Sequence, residues 1–159
     1  MRGFVLPIGG LLLIALAGCS GGRARDDGRT DDTSFPSDYR AWKKLNAAII
    51  IREAEREARD LYANPTAAGR KSGSYPVGSV LVKEERMVSV DPGGQLRPGD
   101  LFRVSVMYKI GTGDMSGWKF RAFDPATREE LPRDRIDPDG CYFCHADARQ
   151  NDYVFSSRQ

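Results

Sequence analysis

The chain has 159 residues, with 24 Lys and Arg against 22 Asp and Glu and a formal net charge of +2. Charges of both signs are mixed along its length, which argues against a nucleic-acid-binding protein with its strongly basic face. The length suits one small domain with additions, and no solenoid period recurs.

The chain begins "MRGFVLPIGGLLLIALAGCS". One basic residue, Arg2, precedes an uncharged, mostly apolar run from Gly3 to Gly18. The run is shorter than the ~18–20 residues of a spanning helix and ends in small residues, as an export signal does. Leu16-Ala17-Gly18-Cys19 resembles the bacterial lipoprotein box, in which the cysteine is acylated and becomes the first residue. An ordinary cleaved signal and a retained anchor helix are the competing readings; the run length and the polar stretch behind it favour the lipoprotein. By the same resemblance, Ser20 permits transfer to the outer membrane. "SGGRARDDGRTDDTSFPS" has no apolar period and reads as a solvated tether. About 120 residues remain from Pro36 onward, enough for one modest core.

Asp38 to about Asp60 reads as a helix. Ser37 or Asp38 can cap it, Trp42, Leu45, Ile49 and Ile50 recur at helical spacing, and "REAEREARD" offers charge pairs three or four apart. Pro65 disfavours helix at Asn64. From Tyr75 the period changes to two. "GSVLVKEERMVSV" is rich in β-branched residues, and "DPGGQLRPGD" is a turn-rich connection. In "LFRVSVMYKI", Phe102, Val104, Val106, Tyr108 and Ile110 share one face, and Arg103, Ser105, Met107 and Lys109 the other. After the turn "GTGDMSG", "WKFRAF" alternates again, with Trp118, Phe120 and Ala122 on one face. Tyr153-Val154-Phe155 reads as a last short strand. The fold class expected is α+β: an antiparallel β-sheet with an N-terminal helix and a C-terminal helix that carries the motif.

That motif is Cys141-Tyr142-Phe143-Cys144-His145, and His145 is the only histidine. Cys-x-x-Cys-His is the attachment pattern of c-type haem. On a helical turn, positions three and four apart share a face, so both thiols reach the vinyl groups of one porphyrin and the imidazole can reach the iron. Asp137-Pro138-Asp139-Gly140 is a turn sequence that delivers the chain into it. A thioredoxin-like pair would follow a strand in a βαβ unit, and none is visible. A zinc site needs four ligands, and no second Cys-x-x-Cys or histidine is present. A disulfide between Cys141 and Cys144 would leave His145 unexplained. Export agrees with haem attachment outside the cytoplasm. One covalent haem c is therefore expected, with Cys141 and Cys144 as thioethers, His145 as axial ligand and Cys19 as the lipid site.

Fourteen residues follow His145, none of them Met, while Met87, Met107 and Met115 precede it. Met107 could face a pocket, although a lone Met on a strand is more often a gap filler. An open sixth position is expected, which binds small molecules or acts on them. A late motif also occurs in the four-helix cytochromes c-prime, but the strands from Val77 to Phe123 argue against a bundle.

"YRAW", "LYANPTA", "YPVGSVLVKE", "VMYKIGTGDMSGWKF" and "CYFCHADARQNDYVFS", in this order from about Asp38 to Phe155, resemble the cytochrome P-460 family and the related β-sheet cytochromes c-prime-beta. The second and third look like its first strands, and the fourth like its Met-x-Lys strand and the Gly-Trp strand after it. The resemblance implies a periplasmic, usually homodimeric protein with a five-coordinate haem. Cytochromes P-460 oxidise hydroxylamine and pass electrons to a partner cytochrome, whereas the c-prime-beta relatives bind nitric oxide. The oxidising members carry a lysine cross-linked to the porphyrin edge. Lys71, just before the first long strand, and Lys83, within it, are the candidates; Ser74 stands where that lysine would first be sought. An exposed lysine is usually only solvated. Asp114, Asp137 and Glu84 are candidate proton acceptors, and Ile136 a candidate apolar neighbour of the open iron face. The expected organisation is a lipoprotein signal peptide over 1–18, a lipid-anchored tether over 19–36 and a cytochrome P-460-like haem domain over 37–159, held at the membrane through Cys19 and not binding nucleic acid.

Overall fold

A computed structural model describes residues 32–136 and 138–155. The expected signal peptide, Cys19, most of the expected tether and Asp137 lie outside the described residues. Where one helix is expected from Asp38 to Asp60, the chain makes a single 3-10 turn, Tyr39–Ala41, and then three strands: β1 (Lys43–Lys44), β2 (Ile50–Arg52) and β3 (Glu57–Ala63). The helical spacing of Trp42, Leu45, Ile49 and Ile50 is thus coincidental. Sheet pairing overrides it, because β3 is bonded along its whole length to a neighbour that has no other partner on that side. The charged run "REAERE" forms the β2–β3 turn, with Arg56 left-handed at φ 53°.

Pro65 opens the short helix α1 (Pro65–Ala68), and extended Asn64 caps it. The period-two pattern then becomes β4 (Val80–Val90), β5 (Leu96–Lys109) and β6 (Trp118–Phe123). Part of the expected turn "DPGGQLRPGD" is strand, since pairing with β4 already begins at Leu96. All pairs are antiparallel, in the order β1-β3-β4-β5-β6, with β2 on the free part of β3.

The pleat sorts the side chains into two cores. On one face Val82, Val104, Val106, Tyr108 and Phe123 pack under Tyr39, with Phe35 and Trp42 against them. Each buried Val contributes about 1.5–3 kcal/mol relative to exposure. On the other face Ala63, Leu81, Met107 and Trp118 pack with Tyr153 and Val154 from the closing segment. Helix α2 (Pro138–Ala146) lies over β6 on this second face. It opens at a proline, where a missing N–H costs nothing.

The expected strand at Tyr153-Val154-Phe155 is not formed. A 3-10 turn, Arg149–Asn151, runs into Asp152 and Tyr153, both left-handed at φ 53° and 63°. That backbone is incompatible with a strand and folds Tyr153 back, so that its N–H donates to the Ala148 carbonyl.

Asn64 ties the start of α1 to the start of β4. Its Oδ1 accepts from the N–H groups of Ala67 (2.9 Å) and Val80 (3.0 Å), and its Nδ2 donates to the Gly78 carbonyl (2.9 Å). Asn64→Ala should therefore cost about 1–3 kcal/mol, seen as a lower urea midpoint at unchanged slope. A loss below about 0.5 kcal/mol would show that the link does not hold this corner.

Candidate functional site

Cys141, Cys144 and His145 all lie on α2, so the thiols stand three apart on one helical face, as the motif requires. Cys144 is exposed, and Cys141 and His145 are half-buried. Phe143, between the thiols, is 79% exposed. The helix is docked through Phe120 of β6, whose ring meets Tyr142 edge-on at 5.0 Å and His145 at 4.9 Å. The Tyr142 hydroxyl donates to the Trp118 carbonyl at 3.4 Å. Phe155 flanks the imidazole from another side at 5.2 Å.

One contact decides the chemistry of that imidazole. His145 Nδ1 lies 2.6 Å from the carbonyl oxygen of Tyr153. A carbonyl only accepts, so Nδ1 carries the proton and Nε2 keeps a lone pair for a metal. Burial lowers the His145 pKa; the Tyr153 hydrogen bond opposes this, and the charge of Lys83 adds to it. The ring is accordingly neutral near pH 7, which is the form that ligates.

A charged group of residues stands beside the motif. Alternation along β4 turns Lys83 and Glu85 to the same face as Leu81, and along β5 it turns Arg103 and Ser105 to the face of Met107. Glu85 is 0% exposed. It accepts from Arg103 Nε at 2.7 Å and Nη2 at 2.9 Å, from the Ser105 hydroxyl at 2.5 Å, and pairs with Lys83 Nζ at 2.8 Å. Lys83 interacts electrostatically with His145, Arg103 with Cys141, and Arg52 with Cys144. One buried carboxylate thus holds two cations, Lys83 and Arg103.

The other sequence candidates fall elsewhere. Glu84 points to the opposite face, accepting from the Tyr39 hydroxyl at 2.6 Å and Arg40 Nε at 2.8 Å. Asp114 caps the 3-10 turn Met115–Gly117. Lys71 and Ser74 are exposed between α1 and β4, and Ile136 is half-buried ahead of α2. Met107 is packed in the second core, and Met87 is exposed. Sequence reasoning missed Glu85, although its parity with Leu81 and Lys83 on a strand already assigns it to the Met107 side. It also missed the Tyr153 carbonyl, for which a backbone group leaves no sequence signal.

The donor set fits a covalently held haem. Two thiols share a helix face, and an imidazole with a fixed tautomer follows them.

Burial alone would raise the Glu85 pKa. The hydrogen bonds from Arg103, Lys83 and Ser105 and the Lys83 charge overcome it and hold the carboxyl at about 2. A carboxylate depressed below its unfolded value of about 4.5 stabilises the fold above that pH. The contribution, about 3 kcal/mol, is lost as pH falls from about 4.5 through about 2. Glu85→Gln should lower stability at pH 7 by about that amount and flatten the acid arm of the stability curve, as followed by urea melts from pH 7 to 2. An unchanged acid arm would remove Glu85 as its source.

A family model described as cytochrome P460 matches residues 36–156. Comparison with curated proteins gives no significant match. The matched span holds the whole sheet, α2 and the turn that meets His145, so the chain belongs to the cytochrome P460 family and is a haem-binding cytochrome.

Proposed function

We propose that this is a periplasmic mono-haem c-type cytochrome with an open iron face that binds and oxidises small nitrogen species such as hydroxylamine. In this reading Cys141 and Cys144 form the thioethers, and His145 Nε2 is the axial ligand. Cys19 anchors the chain to the membrane, at the outer one by the Ser20 rule. Electrons leave to a partner cytochrome, and two copies form a homodimer. The reading is carried by one observation: Nδ1 of the only histidine is held by a backbone carbonyl beside the two thiols, on the sheet face that carries Lys83.

Bound haem supplies an iron that takes the small molecule and accepts its electrons. The chain's own residues do the rest. The cysteines prevent loss of the group, and the Tyr153 carbonyl holds the imidazole in one orientation and keeps Nε2 basic. Phe120 and Phe155 confine the ring. Glu85 is too weak a base to take a proton near pH 7; its fixed negative charge instead keeps Lys83 and Arg103 beside the site. Of the two candidate lysines for a haem cross-link, Lys83 is supported by its place on the sheet face of Leu81 and Met107, the side over which α2 lies, whereas Lys71 is exposed in a connecting loop.

Protease digestion of the purified holoprotein tests this. Haem is expected on the peptide that holds Cys141 and Cys144, with the Lys83 peptide bonded to the same haem and a red-shifted Soret band. Lys83→Met should remove the third bond and slow hydroxylamine oxidation at least about tenfold, ~1.4 kcal/mol of barrier. Haem bonded to the cysteine peptide alone, without hydroxylamine turnover, would overturn the oxidative reading in favour of nitric oxide capture. Haem on neither cysteine would overturn the attachment.

A further inference from the structure

The Met-x-Lys and Gly-Trp strands contain a lysine that the proposed chemistry does not use. Lys109, at the end of β5, is 1% exposed, and its Nζ lies 2.9 Å from Asp152 Oδ1, on a side chain only 4% exposed. The ammonium sits 4.9 Å from the centre of the Trp118 ring. Gly117 leaves room for it: a Cβ there would come within 3.4 Å of Nζ and 2.6 Å of the Gly111 carbonyl oxygen. The other oxygen of Asp152 accepts the Tyr75 N–H at 2.7 Å.

A buried ion pair is weak evidence for stability, because apolar residues of similar volume often serve as well. This pair has a distinctive neighbour. Asp152 is the first of two successive left-handed residues, and Tyr153, the second, presents its carbonyl to His145 Nδ1. Left-handed backbone is costly for both residue types, more so for tyrosine, and persists only where its surroundings enforce it. Both Asp152 oxygens are held, one by the end of β5 and one by the segment before β4.

We propose that the Lys109–Asp152 pair is a positioning device for the haem ligand: it clamps the turn that aims the Tyr153 carbonyl at His145. The strength of that hydrogen bond sets how electron-rich Nε2 is, and so the iron–histidine bond and the reduction potential. The inference rests on the reading of His145 as the axial ligand. It gives the lysine of the first strand motif, and the glycine and tryptophan of the second, one shared task.

The test compares ferrous holoprotein of the wild type, Asp152→Asn and Lys109→Met/Asp152→Asn. Asparagine keeps an acceptor for Tyr75 and tolerates left-handed backbone, so the single variant removes the charge with least disturbance. The double variant leaves no buried charge unpaired. Both should move the iron–histidine stretching band to lower frequency and the reduction potential upward. Asn64→Ala, which destabilises the sheet without touching the turn, should move neither. A band and potential unmoved in both variants, with only stability lowered, would overturn the proposal; so would failure of both variants to fold, since the pair would then be a requirement of the fold. Absence of an iron–histidine band in the wild type would instead overturn the axial reading, which separates the two failures.

Discussion

A β-strand turns successive side chains to opposite faces, and that rule divides the adjacent carboxylates Glu84 and Glu85 of β4. Glu84 goes to Tyr39 and Arg40, under the core of the first face. Glu85 goes to Lys83 and Arg103, beside the haem motif. A slip of β4 by one residue would exchange them and turn Val82 away from Val104 and Val106. The apolar face thus determines the register, and through the register it determines which charges meet the site. The site's electrostatics follow from a hydrophobic core on the far side of the same sheet.

Buried carboxylates recur in this domain as clamps. Glu84 holds the entering segment through Tyr39, with Arg40 and Arg86 completing its partners. Glu85 ties β4 to β5 through Arg103 and Ser105. Asp152 ties the closing turn to the end of β5. Each would be expensive alone, and each has its oxygens occupied by donors. They join segments distant in sequence at fixed geometry, which apolar packing does less specifically.

The sheet was legible because its strands are long and alternate cleanly; the assignment of Val104 and Met107 to opposite faces follows from spacing alone. The motif on α2 was legible because three residue types at fixed spacing carry their own chemistry. The region from Asp38 to Asp60 was not, since "REAEREARD" is made of good helix formers and its pairing partner lies about twenty-five residues away in β4. The closing turn was hidden for a different reason. Tyr-Val-Phe has strand composition, yet Asp152 and Tyr153 are left-handed in a turn closed by local hydrogen bonds and by the partners of the Asp152 carboxylate. The contact that fixes the histidine tautomer joins a backbone oxygen to a ring, so no residue type marks it.

Helix α2 has nine residues, fewer than an isolated helix needs for stability in water. Its order therefore comes from docking: Phe120 under Tyr142 and His145, and the Tyr153 carbonyl on Nδ1. These contacts involve His145 itself, so the forces that fold the helix also orient the imidazole. In the proposed reading the cysteines then retain the haem, while the orientation of the imidazole is set by Phe120 of the sheet and by the closing turn. Retention and orientation are thereby carried by different parts of the chain. Cys144 and Phe143 leave one side of α2 open to solvent, while the His145 side is braced, the arrangement that the proposed attachment of haem would need.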